Sequence, residues 1–147
     1  MLKQIKRLLP SKNNSKEQRL ENLEQTLYQK VGGEKGTLAL SNAFYDEMER
    51  NIHLRELLAI HKQPLDGIRI KFFEFLSGWL GGPELYVEKY GHPQLRARHM
   101  PFKVTKKQSS LWMLCMNNAL NNTVEDELVK TQLRQAFAKL AAHMVNC

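Results

Sequence analysis

Five histidines, at positions 53, 61, 92, 99 and 143, are the side chains of this 147-residue chain best suited to metal or proton chemistry. None belongs to an HExxH motif, none has a second His four residues away, and no acidic cluster joins them. Zinc hydrolase and di-iron carboxylate chemistry are therefore excluded, because both need several ligands at fixed helical spacing. No P-loop, GxGxxG or GxSxG motif occurs, which removes the nucleotide-binding and hydrolase classes built on them. The pairs Gly32-Gly33 and Gly81-Gly82 follow no strand and read as helix stops. Cys115 and Cys147 form no CxxC pair and no disulfide framework, so a reduced cytoplasmic protein is expected. Cys115 lies one helical turn from Trp112 and reads as core.

One histidine has a distinctive neighbourhood. In Leu95-Arg-Ala-Arg-His99-Met-Pro-Phe102, a helix opening at Pro93 sets Leu95 and His99 on one face, with Arg96 and Arg98 pointing away from it. A single imidazole on an apolar face beside guanidinium groups matches what haem requires. That cofactor needs one axial nitrogen, an apolar slot for its ring and cations for its propionates. A satisfied core or surface histidine has the same spacing, and basic pairs commonly form a solvated face. Spacing alone leaves both readings open.

The elements that would position His99 are helical. Leu65, Ile68, Phe72, Phe75 and Trp79 recur at alternating intervals of three and four residues, the clearest amphipathic stripe in the chain. Leu40, Phe44 and Met48 mark a helix over 34–50, and a shorter one over 53–60 stops before Pro64. Thr105-x-x-Gln108 resembles a capping box opening a helix in which Trp112, Cys115, Met116 and Ala119 share a face. Thr123-x-x-Asp126 is expected to open the last helix, carrying Leu133, Phe137, Leu140, Ala141 and Met144. Residues 83–103 read as a long irregular segment with one brief helix after Pro93, and a loop this long is usually functional. The class is all-α, without repeat or strand. A mobile basic extension over 1–20 precedes a single domain over 21–147, in which order begins near Leu20 and a stripe of Leu20, Leu23 and Leu27 follows.

Net charge is +7 and is concentrated in two places. Lys3, Lys6, Arg7, Lys12, Lys16 and Arg19 face only Glu17 in residues 1–19, and Lys89, Arg96, Arg98, Lys103, Lys106 and Lys107 face no acid in 89–107. The first cluster supports an alternative of a different class, a basic helical module binding nucleic acid or an anionic membrane surface. The start of the chain lacks the apolar core and cleavage site of an export signal, and Glu74 breaks the best apolar run, so no membrane span is expected.

Gly81-Gly82-Pro83, then Gly91-His-Pro-Gln-Leu-Arg-Ala-Arg-His-Met-Pro-Phe102, then Trp112 and Cys115-Met116, resemble the signature of group II truncated haemoglobins. Tyr28-Gln-Lys-Val-Gly-Gly33 and Phe44-Tyr45 fall where that family carries its first glycine pair and a distal tyrosine. The resemblance covers about residues 26 to 146. It implies a two-on-two helical sandwich around haem b, with the haem-bearing helix reduced to a turn within a loop. It also implies dioxygen, carbon monoxide, nitric oxide or peroxide as small ligands at a five-coordinate iron. Redox chemistry beyond storage follows, either oxidation of nitric oxide to nitrate by bound dioxygen or peroxidase-like turnover, served by an unidentified reductase. No nucleic-acid partner is then expected.

Carried over by position, His99 matches the proximal iron ligand, and His92 is expected to be structural or near the haem edge. Tyr45 and Trp112 match the distal donors, each able to aim one N–H or O–H at a ligand from an apolar pocket. Ile68 and Phe72 would face the haem with Phe75 packed nearby, and Ile68 is apolar where many globins place a polar distal group. Tyr86, Leu95, Phe102 and Val104 would complete the slot, with Lys71, Arg96 and Arg98 available to the propionates. One departure stands out. Between Leu57 and Leu65, where the family usually shows an aromatic ring facing the ligand, this chain has none, and His61 is the candidate for that place. There it would hydrogen-bond the ligand or bind the sixth iron position.

Overall fold

The computed structural model describes residues 15–17, 25–100 and 103–147. Apart from a helical turn at 15–17, the expected extension 1–20 lies outside the described residues, as do Leu20 and Leu23. The chain then forms α1 (Leu27–Lys30), α2 (Gly33–Arg50), a 3-10 turn (Ile52–Leu54), α3 (Arg55–Ala59) and α4 (Asp66–Trp79). After these come α5 (Leu85–Tyr90), α6 (Leu95–His99), α7 (Lys106–Thr123) and α8 (Glu127–Met144). No strand occurs among the described residues, and none of their helices is long and apolar enough to cross a membrane.

Helix α2 is the centre of the fold, crossing α4 on one side and α7 on the other, while α7 packs along α8. Its Leu40, Phe44 and Met48, spaced one turn apart, are fully buried with Leu76 of α4, Met116 and Leu120 of α7, and Leu133 and Phe137 of α8. Each such side chain contributes roughly 1.5–3 kcal/mol on leaving water. Polar bonds fix the crossings. Ser41 Oγ donates to the Arg69 carbonyl at 2.7 Å, and the Arg69 guanidinium reaches Asp46 at 2.8 Å and Glu49 at 3.1 Å, locking α4 onto α2. Across the other crossing, the Cys115 thiol donates to the Phe44 carbonyl at 3.0 Å and Asn118 Nδ2 to Glu47 at 2.9 Å.

The helix starts refine the sequence expectations. Thr105 and Gln108 form the expected capping box, with Gln108 N–H donating to Thr105 Oγ1 at 3.1 Å and Thr105 N–H to Gln108 Oε1 at 3.0 Å. A second box, Thr26 with Gln29, opens α1 and was legible in the same pattern. Thr123 does not open the last helix. It ends α7, its hydroxyl donating back to the Ala119 carbonyl at 2.8 Å, and Asp126 caps α8 by accepting from Leu128 and Val129 N–H. The expected helix over 53–60 divides, because the Asn51 side chain accepts from His53 N–H and starts a tighter turn.

Residues 83–103 hold two short helices rather than one. Helix α5 has a β-branched residue and two aromatics in six positions, weak intrinsic helix formers. Tertiary contacts hold it: Lys89 pairs with the buried Glu74 carboxylate of α4 at 2.7 Å, and Tyr86 meets Phe75 edge-to-face. Helix α6 begins at Leu95 and not at Pro93, because Gln94 takes a left-handed conformation at φ 46°.

The turn between α1 and α2 leaves no room at Gly36, where a Cβ would overlap the Val31 carbonyl. Gly36→Ala is expected to lower the unfolding free energy by about 1–3 kcal/mol in a urea titration, since the added methyl meets backbone. Gly67→Ala, where a Cβ meets nothing within 4 Å, is expected to leave stability unchanged or raise it by up to about 1 kcal/mol.

Candidate functional site

Helices α2, α4, α5, α6, α7 and α8, together with the end of α3, line an open cavity of about 350 Å³. That volume is within the range of small-molecule and cofactor sites. Ile68, Phe72 and Phe75 of α4, with Tyr86 of α5, form one wall, and Leu95, Arg98, His99 and Val104 form another. Trp112, Tyr45 and His61 close a third side, and Lys71 stands at the edge.

The stripe Leu65 to Trp79 divides between two tasks. Leu65 is buried in the core, Ile68, Phe72 and Phe75 turn to the cavity, and Trp79 stacks on Phe137 at 4.9 Å. The positions missed at the sequence level are Leu57, Ile60, Gln108, Ser109, Leu140, Ala141 and Met144. The last three sit on the apolar stripe of α8, whose periodicity cannot distinguish a core-facing residue from a cavity-facing one.

His99 ends α6 and is exposed, because the cavity it lines is open. Its Nδ1 lies 2.6 Å from the Leu95 carbonyl oxygen, one helical turn back. A carbonyl only accepts, so Nδ1 carries the proton and a neutral ring keeps a lone pair on Nε2. A ring nitrogen hydrogen-bonded in this way orients the other for a metal.

The short helix is held from behind. Asn146, beyond α8, donates through Nδ2 to the His99 carbonyl at 3.2 Å, and its Oδ1 accepts from Val104 N–H at 2.9 Å. Its own N–H reaches the Val104 carbonyl at 3.0 Å. One side chain from the end of the sequence thus clamps both flanks of residues 101–102, and no sequence motif announces it.

Tyr45 is buried beside Phe44 and Phe72, with ring centroids 5.0 and 5.8 Å away. Burial holds its phenol well above the ordinary value, with the nearby Cys115 adding to the effect, so Tyr45 keeps its proton and remains a donor. Burial also pushes the Cys115 thiol up to about 12, with the Glu47 charge second, so it is a core donor rather than a reactive thiolate. Trp112 packs against Phe44 and Phe137, at 5.3 and 5.8 Å between centroids.

The basic residues separate. The Arg98 guanidinium lies 5.7 Å from the Tyr86 ring centre and lines the cavity, instead of pointing away from His99. Lys71 Nζ sits 4.9 Å from the Tyr90 ring and 5.9 Å from Tyr86, which gathers two cations at one rim. Arg96 turns outward to the His143 carbonyl at 3.5 Å and does not line the cavity. His92 is exposed and outside it as well, its Nδ1 accepting from Gln94 N–H at 3.2 Å. Phe102 lies outside the described residues.

The sequence model of the bacterial-like globins matches residues 26–146. The chain belongs to that family. Among curated relatives of this globin, the group 2 truncated hemoglobin of Bacillus subtilis (strain 168) is 34% identical over 114 residues, 78% of this chain and 84% of the relative. The solved structure of the cold-adapted truncated hemoglobin from the Antarctic marine bacterium Pseudoalteromonas haloplanktis TAC125 is 50% identical, with a TM-score of 0.82 over 84% of this chain and 99% of that one. The group II 2-on-2 hemoglobin from the plant pathogen Agrobacterium tumefaciens is 37% identical, with a TM-score of 0.79 over 83% and 95%. The fold is therefore the truncated two-on-two globin, a group II relative as the sequence motifs implied, and haem-based binding of small diatomic ligands follows from the family.

The residues present fit that cofactor. One imidazole offers a metal-ready nitrogen, aromatic and aliphatic walls suit a macrocycle, and Lys71 with Arg98 can meet its carboxylates. Removing the Asn146 side-chain hydrogen bonds to His99 and Val104, at about 1 kcal/mol each, is expected to loosen the wall that carries His99. Asn146→Ala should release haem to an acceptor apoglobin about five to thirty times faster than wild type.

Proposed function

We propose that His99 Nε2 would hold the iron of haem b, and that Tyr45 and Trp112 would steady a dioxygen ligand for slow release and onward redox chemistry. The observation that carries this reading is the His99 Nδ1 contact with Leu95 at 2.6 Å, on the wall of an apolar cavity rimmed by Lys71 and Arg98. When bound, haem supplies an iron that takes diatomic ligands and supports their oxidative chemistry.

The chain's own residues do the rest. With haem bound, His99 would tie it to α6, and Ile68, Phe72 and Phe75 would keep water from its side of the cavity. Lys71 and Arg98 neutralise its carboxylates. Tyr45 donates a hydrogen bond through its hydroxyl and Trp112 through its indole N–H, each stabilising a partially negative ligand by roughly 1–3 kcal/mol. Two donors among apolar walls favour retention over delivery. That balance suits oxidation of nitric oxide to nitrate, or peroxidase-like turnover with Tyr45 and Trp112 as oxidisable groups. Each turnover of the first kind needs one electron from outside the chain, which calls for a reductase partner. The unpaired Cys115 and Cys147 suit a reducing, cytoplasmic setting.

His99→Gly is expected to lose the intense haem absorption band and to regain it with added imidazole. In stopped-flow measurements Tyr45→Phe and Trp112→Phe should each speed dioxygen release about five- to hundredfold. Release rates equal to wild type in both variants would remove the donor role.

A further inference from the structure

Three of the rings that line the cavity are readily oxidised: Tyr45, Tyr86 and Trp112. A phenol or an indole gives up an electron far more easily than the benzene ring of phenylalanine. The neighbours of each ring therefore decide where its next electron comes from. Tyr45 meets Phe44, Phe72 and His61, and Trp112 meets Phe44, Phe72 and Phe137. Among the described residues neither has a tyrosine or tryptophan ring against it, and the Cys115 thiol near Tyr45 is itself fully buried. Tyr86 differs. Its ring centre lies 4.8 Å from that of Tyr90, one helical turn further along α5. Tyr86 is 6% exposed and Tyr90 45%, and Tyr90 carries the only Phe, Tyr or Trp ring exposed among the described residues. The pair is fixed from outside α5. Lys71 Nζ sits over both rings, the Arg98 guanidinium lies over Tyr86, and the Lys89–Glu74 ion pair ties the helix to α4.

We propose that Tyr86 and Tyr90 form an electron route between the cavity and the surface, and that Tyr90 is a second site, where phenolic one-electron donors are oxidised without entering the cavity. This rests on the peroxidase-like branch of the reading above. The oxidant is hydrogen peroxide. Its O–O bond breaks in the cavity as it takes up two electrons and two protons, and two waters form. Tyr86 supplies the electrons one at a time and is refilled by Tyr90. Each tyrosine loses its hydroxyl proton with the electron and regains both. Tyr90 takes its electron and proton from the O–H of a donor phenol, which leaves as a phenoxyl radical, so each peroxide consumes two phenols. A donor of this class needs only to reach the exposed ring at the end of α5.

The test uses the full chain loaded with one equivalent of haem, treated with hydrogen peroxide and a nitroso spin trap, then digested and mapped by mass spectrometry. Trypsin cuts between Lys89 and Tyr90, so the two tyrosines fall on separate peptides. The expected wild-type adduct lies on the peptide that begins at Tyr90, and excess guaiacol, a phenolic donor, should suppress it. Tyr90→Phe should lose that adduct and lower kcat/KM for guaiacol by about fivefold or more. Tyr86→Phe, which leaves Tyr90 in place, should lose the adduct as well, and that loss separates a route through the protein from radicals formed in solution. A wild type without an adduct at Tyr90 overturns the proposal. So does an adduct that survives Tyr86→Phe, or guaiacol oxidation as fast in Tyr90→Phe as in wild type. Each of these leaves the peroxidase-like reading standing as long as peroxide is consumed. A wild type that takes up haem and consumes no peroxide removes that reading and the proposal with it.

Discussion

A hydrogen bond from an imidazole Nδ1–H to the carbonyl one turn earlier decides which ring nitrogen keeps its lone pair. At His99 that bond is 2.6 Å long, to Leu95, and it selects one of two neutral tautomers, the one with its lone pair on Nε2. Its surroundings hold α6 in place. The helix has five residues and none is buried, so it cannot hold its place by its own packing. It borrows rigidity from Asn146 behind it and from Leu95 against the core.

The core in turn is organised by α2. Phe44 points between α4 and α7, and the next residue, Tyr45, reaches the cavity, so one helix couples the packing centre to the cavity wall. Arg69 and Ser41 fix α4 against α2, which sets the wall of Ile68, Phe72 and Phe75. Cys115 and Asn118 fix α7 and with it Trp112. A cofactor slot between helices needs this kind of external bracing, because the slot itself removes packing contacts from the middle of the fold.

Much of this was legible in the chain. The stripe from Leu65 to Trp79 and the box at Thr105 depend on residues within one or two turns, which sequence displays directly. The placement of Arg98 was not, since a side chain at the edge of a five-residue helix is aimed by partners on other elements, here the Tyr86 ring. Asn146 escaped notice for the same reason: its partners His99 and Val104 are over forty residues earlier. The start of α8 was misplaced because Thr123 and Asp126 are both good capping residues, and only the preceding turn of α7 shows that Thr123 is spent on Ala119.

The cavity between α4 and α6 has the lining of a slot for one haem. Titrating the haem-free full chain with haemin, while following the visible absorption band and the fluorescence of Trp79 and Trp112, tests it most directly. Both tryptophans pack against the ring cluster at or behind the slot, so bound haem should quench them. A sharp break in both signals at one haem per chain is the expected result. Absorption that rises without a break, with tryptophan emission unchanged, would contradict it.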